Sequence, residues 1–86
     1  MSEILPIPII SNEASFSLES NEAGDLNVIV YDYAGSMVAH LIQNRFIKEN
    51  EEYIIPLNFE KLSTGMYNVE IKVGNDKVVR SIVVNK

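Results

Sequence analysis

Residues 62–86, LSTGMYNVEIKVGNDKVVRSIVVNK, decide the fold because they consist almost entirely of two strand-like segments joined by a turn. In MYNVEIKV, apolar side chains alternate with polar ones, which is the period-2 pattern of a strand with one buried face. GND is a turn sequence, and KVVRSIVV follows it as a second strand. The pattern predicts an antiparallel hairpin. The residues expected to face the core on its first strand are Tyr67, Val69, Ile71 and Val73.

The closing strand of this hairpin is apolar on both faces. Its expected inward set is Val78, Ile82 and Val84, but Val79 and Val83 make the opposite face apolar as well. A strand that is buried on one side only should alternate apolar and polar residues. Two-sided apolarity therefore predicts either a central strand or an edge strand that awaits a partner.

The same alternation extends upstream through ASFSLES and LNVIVYDY. In YDYAGSMV, Asp32 suits the first position of a type I turn and Gly35 suits the fourth, where a positive φ is accessible. MVAHLIQN, residues 37–44, then returns as a strand, and FIKENEE is a polar connection that begins at Phe46. A helix also fits the spacing of the apolar residues in 37–44, but the preceding turn is typical of a hairpin and favours the strand.

Proline marks two edge segments. Pro56 in YIIPLNF cannot donate a ladder hydrogen bond, so that strand is expected at an edge or a bulge. Pro6 and Pro8 in ILPIPII each remove a donor, which predicts another edge strand. Together the segments make about seven short strands at the spacing of all-β domains. We therefore expect one domain over residues 1–86, an all-β, antiparallel, immunoglobulin-like β-sandwich without the Cys-Trp-Cys signature of true immunoglobulin domains.

Composition excludes several classes of function. The chain has 86 residues, a formal net charge of −5 and no cysteine. An acidic chain repels phosphate backbones, so nucleic acid is not an expected partner. The lack of cysteine excludes disulfides and thiolate metal sites. MSEILPIPII has no basic n-region and is not a secretory signal peptide, so an N-terminal signal peptide of an exported protein is not found in this sequence.

Candidate chemistry is sparse. His40 is the single histidine and lies within a predicted strand, so a surface position is expected. The acidic residues Glu49, Glu51 and Glu52 lack the D-x-D-x-D-G spacing of a calcium loop and read as a solvated loop. No glycine-rich phosphate loop is present. We therefore predict no catalytic residue, no metal site and no cofactor, and the protein is not expected to be an enzyme.

Three motifs in one order resemble a known family. They are VIVYDYAGSMV, a strand that runs into a D-x-x-G turn; LNFEKLSTGMYNVEIKVGN, with an L-x-x-G-x-Y-x-V-x-I corner; and RSIVVNK at the end of the sequence. Together they resemble the C-terminal sorting domains of the type IX secretion system, also called the Por secretion system, over residues 6–86. The family's opening P-N-P is PIP here, and Ser36 stands where the turn usually has Arg. The resemblance implies a β-sandwich appended to secreted cargo.

The resemblance also implies a function without chemistry. The domain would act as a C-terminal secretion signal, recognised by the outer-membrane translocon and removed by a sortase-like peptidase. The cargo would pass through the periplasm to the outer membrane or cell surface of a Gram-negative bacterium. The turn motif comprises Asp32 and Gly35. The residues expected to carry recognition are Gly65, Tyr67, Arg80, Ile82, Val83, Val84 and Lys86.

Structural explanations stand beside these roles. Asp32 and Gly35 are accounted for as a turn. Gly65 would relieve the backbone of a sandwich corner, and Tyr67 would bury its ring while its hydroxyl caps a turn.

A second function remains open. The chain would then be a stand-alone or appended exported β-sandwich module that binds a protein partner or a glycan. Binding would use an apolar edge or the exposed aromatic pair Tyr31 and Tyr33. An exposed terminal strand that is apolar on both faces can also pair with a second copy, so a homodimer through an edge strand is compatible with the sequence.

Overall fold

The computed structural model describes residues 1–6 and 8–86, and within them the regular structure is entirely β. No helix in this part of the chain is long and apolar enough to cross a membrane. The strands, in chain order, are β1 (Glu13–Glu19), β2 (Gly24–Asp32), β3 (Met37–Ile47), β4 (Glu52–Asn58), β5 (Gly65–Val73) and β6 (Asp76–Val84).

These six strands form two sheets in which every strand pairs with its neighbour in antiparallel fashion. A small sheet has the order β1-β4, and a larger sheet has the order β3-β2-β5-β6. Their apolar faces share one core, to which β1 contributes Phe16 and β5 contributes Val69. The predicted all-β sandwich is confirmed. So is the predicted inward set of β5, because all four residues are buried: Tyr67, Val69, Ile71 and Val73.

The hairpin between β2 and β3 confirms the strand rather than the helix for residues 37–44. Gly35 has φ +89°, a left-handed value that glycine adopts without a steric cost. The strand continues to Ile47, beyond the predicted end at Asn44, so the polar connection is shorter than expected. Ile47 is buried, and this apolar anchor explains why the strand extends past the exposed Phe46.

The first segment differs from the prediction of a seventh strand. Leu5 bridges Ser15 of β1 in antiparallel fashion, whereas Ile9 bridges Val84 of β6 in parallel fashion. The segment thus contacts both sheets through isolated bridges, and Ile7 lies outside the described residues. Pro6 and Pro8 have no N–H to donate, which limits how far either bridge can extend into a ladder.

Pro56 behaves as predicted. It lies on β4, opposite Ser15 of β1. Because β4 has only β1 as a neighbour, it is an edge strand, and the missing N–H of Pro56 is tolerated there.

Candidate functional site

The three sequence motifs meet at one end of the larger sheet. Asp32 is the register partner of Tyr67, and Tyr67 is the partner of Ile82. Gly65 is paired with Val84 two residues further along. The D-x-x-G turn, the G-x-Y corner and the closing strand therefore form a continuous row across β2, β5 and β6. We call this region, comprising residues 32–36, 62–67 and 80–86, the motif end.

The turn at the motif end is closed by its own side chain. The Asp32 carboxylate accepts hydrogen bonds from the backbone N–H of Ala34 at 3.0 Å and of Ser36 at 2.9 Å. The Gly35 N–H donates to the Asp32 carbonyl at 3.0 Å. Local bonding of this kind is why Asp is favoured at the first position of turns. The D-x-x-G motif is thus explained by backbone geometry.

The corner before β5 is held by Tyr67. Its ring is buried, and its hydroxyl donates to the Ser63 carbonyl at 2.8 Å. This is the tyrosine corner known from sandwich domains, and the predicted capping role is confirmed. The expected role of Gly65 is not supported. Gly65 lies outside the left-handed region, and a Cβ there would make only an ordinary contact, 3.6 Å from the Tyr67 hydroxyl.

The closing strand lies at the edge of the larger sheet, so a central position, the first of its two predicted places, is wrong. Ile82 and Val84 are buried in the core, and Val78 is half-buried. On the opposite face, Val79 is 52% exposed and Val83 is 36% exposed. The outward residues of this strand can therefore touch another protein without a change in the fold.

The last residue is bound to the corner. The Lys86 ammonium donates to the carbonyl oxygens of Glu60 at 2.7 Å and Phe59 at 3.1 Å. The Lys86 backbone N–H donates to Thr64 Oγ1 at 3.1 Å. These contacts hold the end of the chain against the loop that leads into β5, so the terminal segment is positioned rather than frayed.

Arg80 connects the two sheets. It lies on the inward-facing side of β6, yet it is only half-buried because β6 is at the edge. Its guanidinium donates to the carbonyl oxygens of Met1 at 3.0 Å and Ser2 at 3.4 Å. Ser2 in turn donates its backbone N–H to Ser17 of β1. An inward-pointing charge is one of the ways in which proteins protect a sheet edge from unwanted pairing.

The motif end also exposes apolar side chains, of which sequence reasoning missed Met66. Met66 is the register partner of Val83 and is 50% exposed, and Tyr33, which follows Asp32 directly, is 71% exposed. Met66 occupies an outward position of β5, where the other outward side chains are polar. That departure from alternation was the available signal.

The remaining candidates do not assemble into a chemical site. His40 is exposed, as expected, and lies 3.3 Å from Asn27 Oδ1 and 3.2 Å from Gln43 Nε2. Tyr31 is half-buried. In residues 1–6 and 8–86, no group of three or more His, Cys, Asp or Glu side chains is arranged to hold a metal ion.

Comparison with known proteins identifies a family for the chain. No curated protein matches the chain. The family model of the secretion system C-terminal sorting domain matches residues 4–85, nearly the whole sequence. The three motifs that converge at one end of the sheet lie within this match. The chain therefore belongs to the secretion system C-terminal sorting domains, which are sorting signals carried by cargo of the type IX secretion system.

Proposed function

We propose that the motif end is the surface by which the type IX machinery recognises this domain. Membership of the family implies interaction with that machinery and export across the outer membrane. The finer roles follow the resemblance: an outer-membrane translocon binds the domain, a sortase-like peptidase removes it, and the cargo reaches the cell surface. The domain itself performs no reaction.

The observation that carries the proposal is the convergence of the motifs. Asp32, Tyr67 and Ile82 are separated by 35 and 15 positions in sequence (67 − 32 and 82 − 67), yet they are register partners in neighbouring strands. A partner that docks at this end of the sheet would contact elements of all three motifs at once. A turn motif needed for folding alone could lie anywhere in the sandwich.

Burial separates the recognition residues into buried and exposed ones, with Gly65 and Arg80 half-buried between them. Tyr67, Ile82 and Val84 are buried, so they position the strand and do not contact a docked partner. Val83 is exposed and available for contact, and Lys86 is exposed although its ammonium is bonded to the Phe59 and Glu60 carbonyls. Apolar contact at Val83 and Met66 would supply affinity, since both side chains present apolar surface that docking removes from water.

The test is export of a reporter. The chain is fused to the C-terminus of a reporter that carries a signal peptide, in a cell with a working type IX system. We expect the intact fusion outside the cell and a fusion lacking residues 83–86 inside the periplasm. The matched control is Val84→Ala, which loses core contact but keeps the outward residues of the segment, and which we expect to be exported.

Two outcomes contradict the proposal. In the first, the truncated fusion is exported as well as the intact one. In the second, export of the Val84→Ala fusion is lost as completely as export of the truncated fusion. Integrity of the core would then explain both results.

A further inference from the structure

The outer edge of the closing strand is occupied from within the chain. The Ile9 N–H donates to the Val83 carbonyl at 2.8 Å, and the Asn85 N–H donates to the Ile9 carbonyl at 2.9 Å. Backbone groups of successive strand residues point to opposite sides. The outward groups of Val83 and Asn85, which a partner strand would need, are therefore already bonded to Ile9.

The segment that occupies this edge is held by few hydrogen bonds. Residues 8–10 are called here the clamp segment. Pro8 has no N–H to donate, and Ile10 is exposed. Within the described residues, Ile9 alone bridges the clamp segment to β6. The other side of β6 is held by β5 in a continuous ladder from Val73–Asp76 to Gly65–Val84.

The Ile9 side chain adds a chemical requirement. It is fully buried within the core cluster that also contains Ile82 and Val84. Removing Ile9 from the edge would leave an apolar cavity, which is costly unless another side chain fills it. A strand that replaces Ile9 must therefore bring an aliphatic side chain to the same register position.

We propose that the clamp segment is a releasable intramolecular strand, and that an extended segment of the secretion machinery takes its place on β6. The incoming segment carries an aliphatic residue at the register of Ile9 and bonds Val83 and Asn85 through its backbone. This inference rests on the proposed function, because it names the edge at which the motif end is engaged. Strand addition to a sheet edge supplies main-chain affinity, with the pocket for the side chain supplying selectivity.

A disulfide between Ile9→Cys and Val84→Cys tests the release directly. The two residues are register partners, and neighbouring strands lie about 4.8 Å apart, within the roughly 4.4–6.8 Å between Cα atoms that a disulfide spans. The chain has no other cysteine, so pairing is unambiguous. In the export assay we expect at least a tenfold loss of exported reporter for the oxidised double variant relative to each single variant, which carries one of the two substitutions without the cross-link.

A second disulfide controls for the possibility that any cross-link blocks passage. Ser17→Cys with Ile54→Cys joins register partners of β1 and β4 in the other sheet. Ser17 bonds Ser2 through its backbone on the side away from β4, so this pair is not bonded to each other and its Cα atoms lie close, about 4.5 Å apart. This cross-link also closes a long loop, but it leaves the clamp segment free, and we expect normal export.

The outcomes separate the two hypotheses. Export of the oxidised Ile9–Val84 variant at the parental level overturns the release of the clamp segment, and equal loss in the control disulfide overturns it as well. Neither result bears on whether residues 83–86 are needed, because the truncation described above decides that independently.

Hydrogen exchange measures the release without any secretion machinery and without the cysteine variants. The Asn85 amide should exchange with solvent through local opening of the clamp segment, at least tenfold faster than the slowest amides of β5. Its exchange rate should depend little on the concentration of denaturant. Ile9→Ala should accelerate exchange of the Asn85 amide further, because the closed clamp segment then loses its buried side chain. Exchange of Asn85 in step with β5 across a denaturant series would overturn the inference, because the clamp segment would then leave only when the whole domain unfolds.

Discussion

At the scale of single residues, the motif end is built from side chains that satisfy the backbone. The Asp32 carboxylate accepts two N–H groups of its own turn, and the Tyr67 hydroxyl bonds the Ser63 carbonyl. Both residues are thus needed for the fold whether or not a receptor touches them. Both residues shape the surface of the motif end, which accounts for their place in the family pattern. Contact with a partner is expected at the exposed neighbour Val83.

The tyrosine corner gives the first prediction. Tyr67→Phe keeps the ring and removes the hydroxyl, so the free energy of unfolding should fall by about 1 kcal/mol, the usual worth of one such hydrogen bond. Urea unfolding measures the change. Tyr33→Phe is the control, because Tyr33 is exposed, and it should alter stability by a few tenths of a kcal/mol at most. Equal effects of the two substitutions would contradict the assigned role of Tyr67.

The turn gives the second prediction. Gly35→Ala should destabilise the domain by about 1–2 kcal/mol, because φ at this position is +89° and a Cβ disfavours that region. Gly65→Ala is the matched substitution within β5, where φ is ordinary and a Cβ meets only a 3.6 Å contact, so it should cost less. Thermal unfolding of both variants checks this order, and the reverse order would show that the turn geometry is wrong.

At the scale of the strand, the alternation of inward and outward side chains decides how much a substitution lowers the free energy of unfolding. Val69 and Ile71 are buried on β5, and truncating either to Ala should cost about 2–4 kcal/mol in unfolding free energy. Val79→Ala removes a similar side chain from the exposed face of β6 and should cost far less. Denaturant titration distinguishes these cases. A near-zero cost at Val69 would mean that the register is displaced by one residue, since such a slip exchanges the two faces.

The same alternation explains how far the sequence predicts the strands. Strict alternation places the inward residues of β5 correctly, and turn chemistry at Asp32 and Gly35 separates a hairpin from a helix in residues 37–44. The prediction of a strand for the first segment is wrong. Pro6 and Pro8 show only which backbone N–H donors are missing, and not which sheet the residues beside them join. Which sheet each neighbouring residue joins depends on the packing of Ile4 and Ile9 into the shared core.

At the scale of the whole molecule, the site depends on contacts between distant residues. Arg80 bonds Met1, which lies 79 positions away in sequence, and Lys86 bonds Glu60. No local pattern announces such contacts, because strand order decides which ends of the strands meet. The family motifs name the residues expected to carry recognition, but no local pattern divides them into buried and exposed side chains.

The most direct test of the account compares two valines on one face of one strand. Val83→Ser and Val79→Ser make the same substitution on the exposed face of β6, where Val83 is 36% and Val79 is 52% exposed, so the effect of each on stability should be small. Val83 lies at the motif end, opposite Met66, whereas Val79 lies opposite Glu70 near the middle of the strand. With each variant fused to an exported reporter, we predict that Val83→Ser lowers the exported fraction at least tenfold and that Val79→Ser leaves it unchanged. Equal export of the two variants would contradict recognition through the motif end.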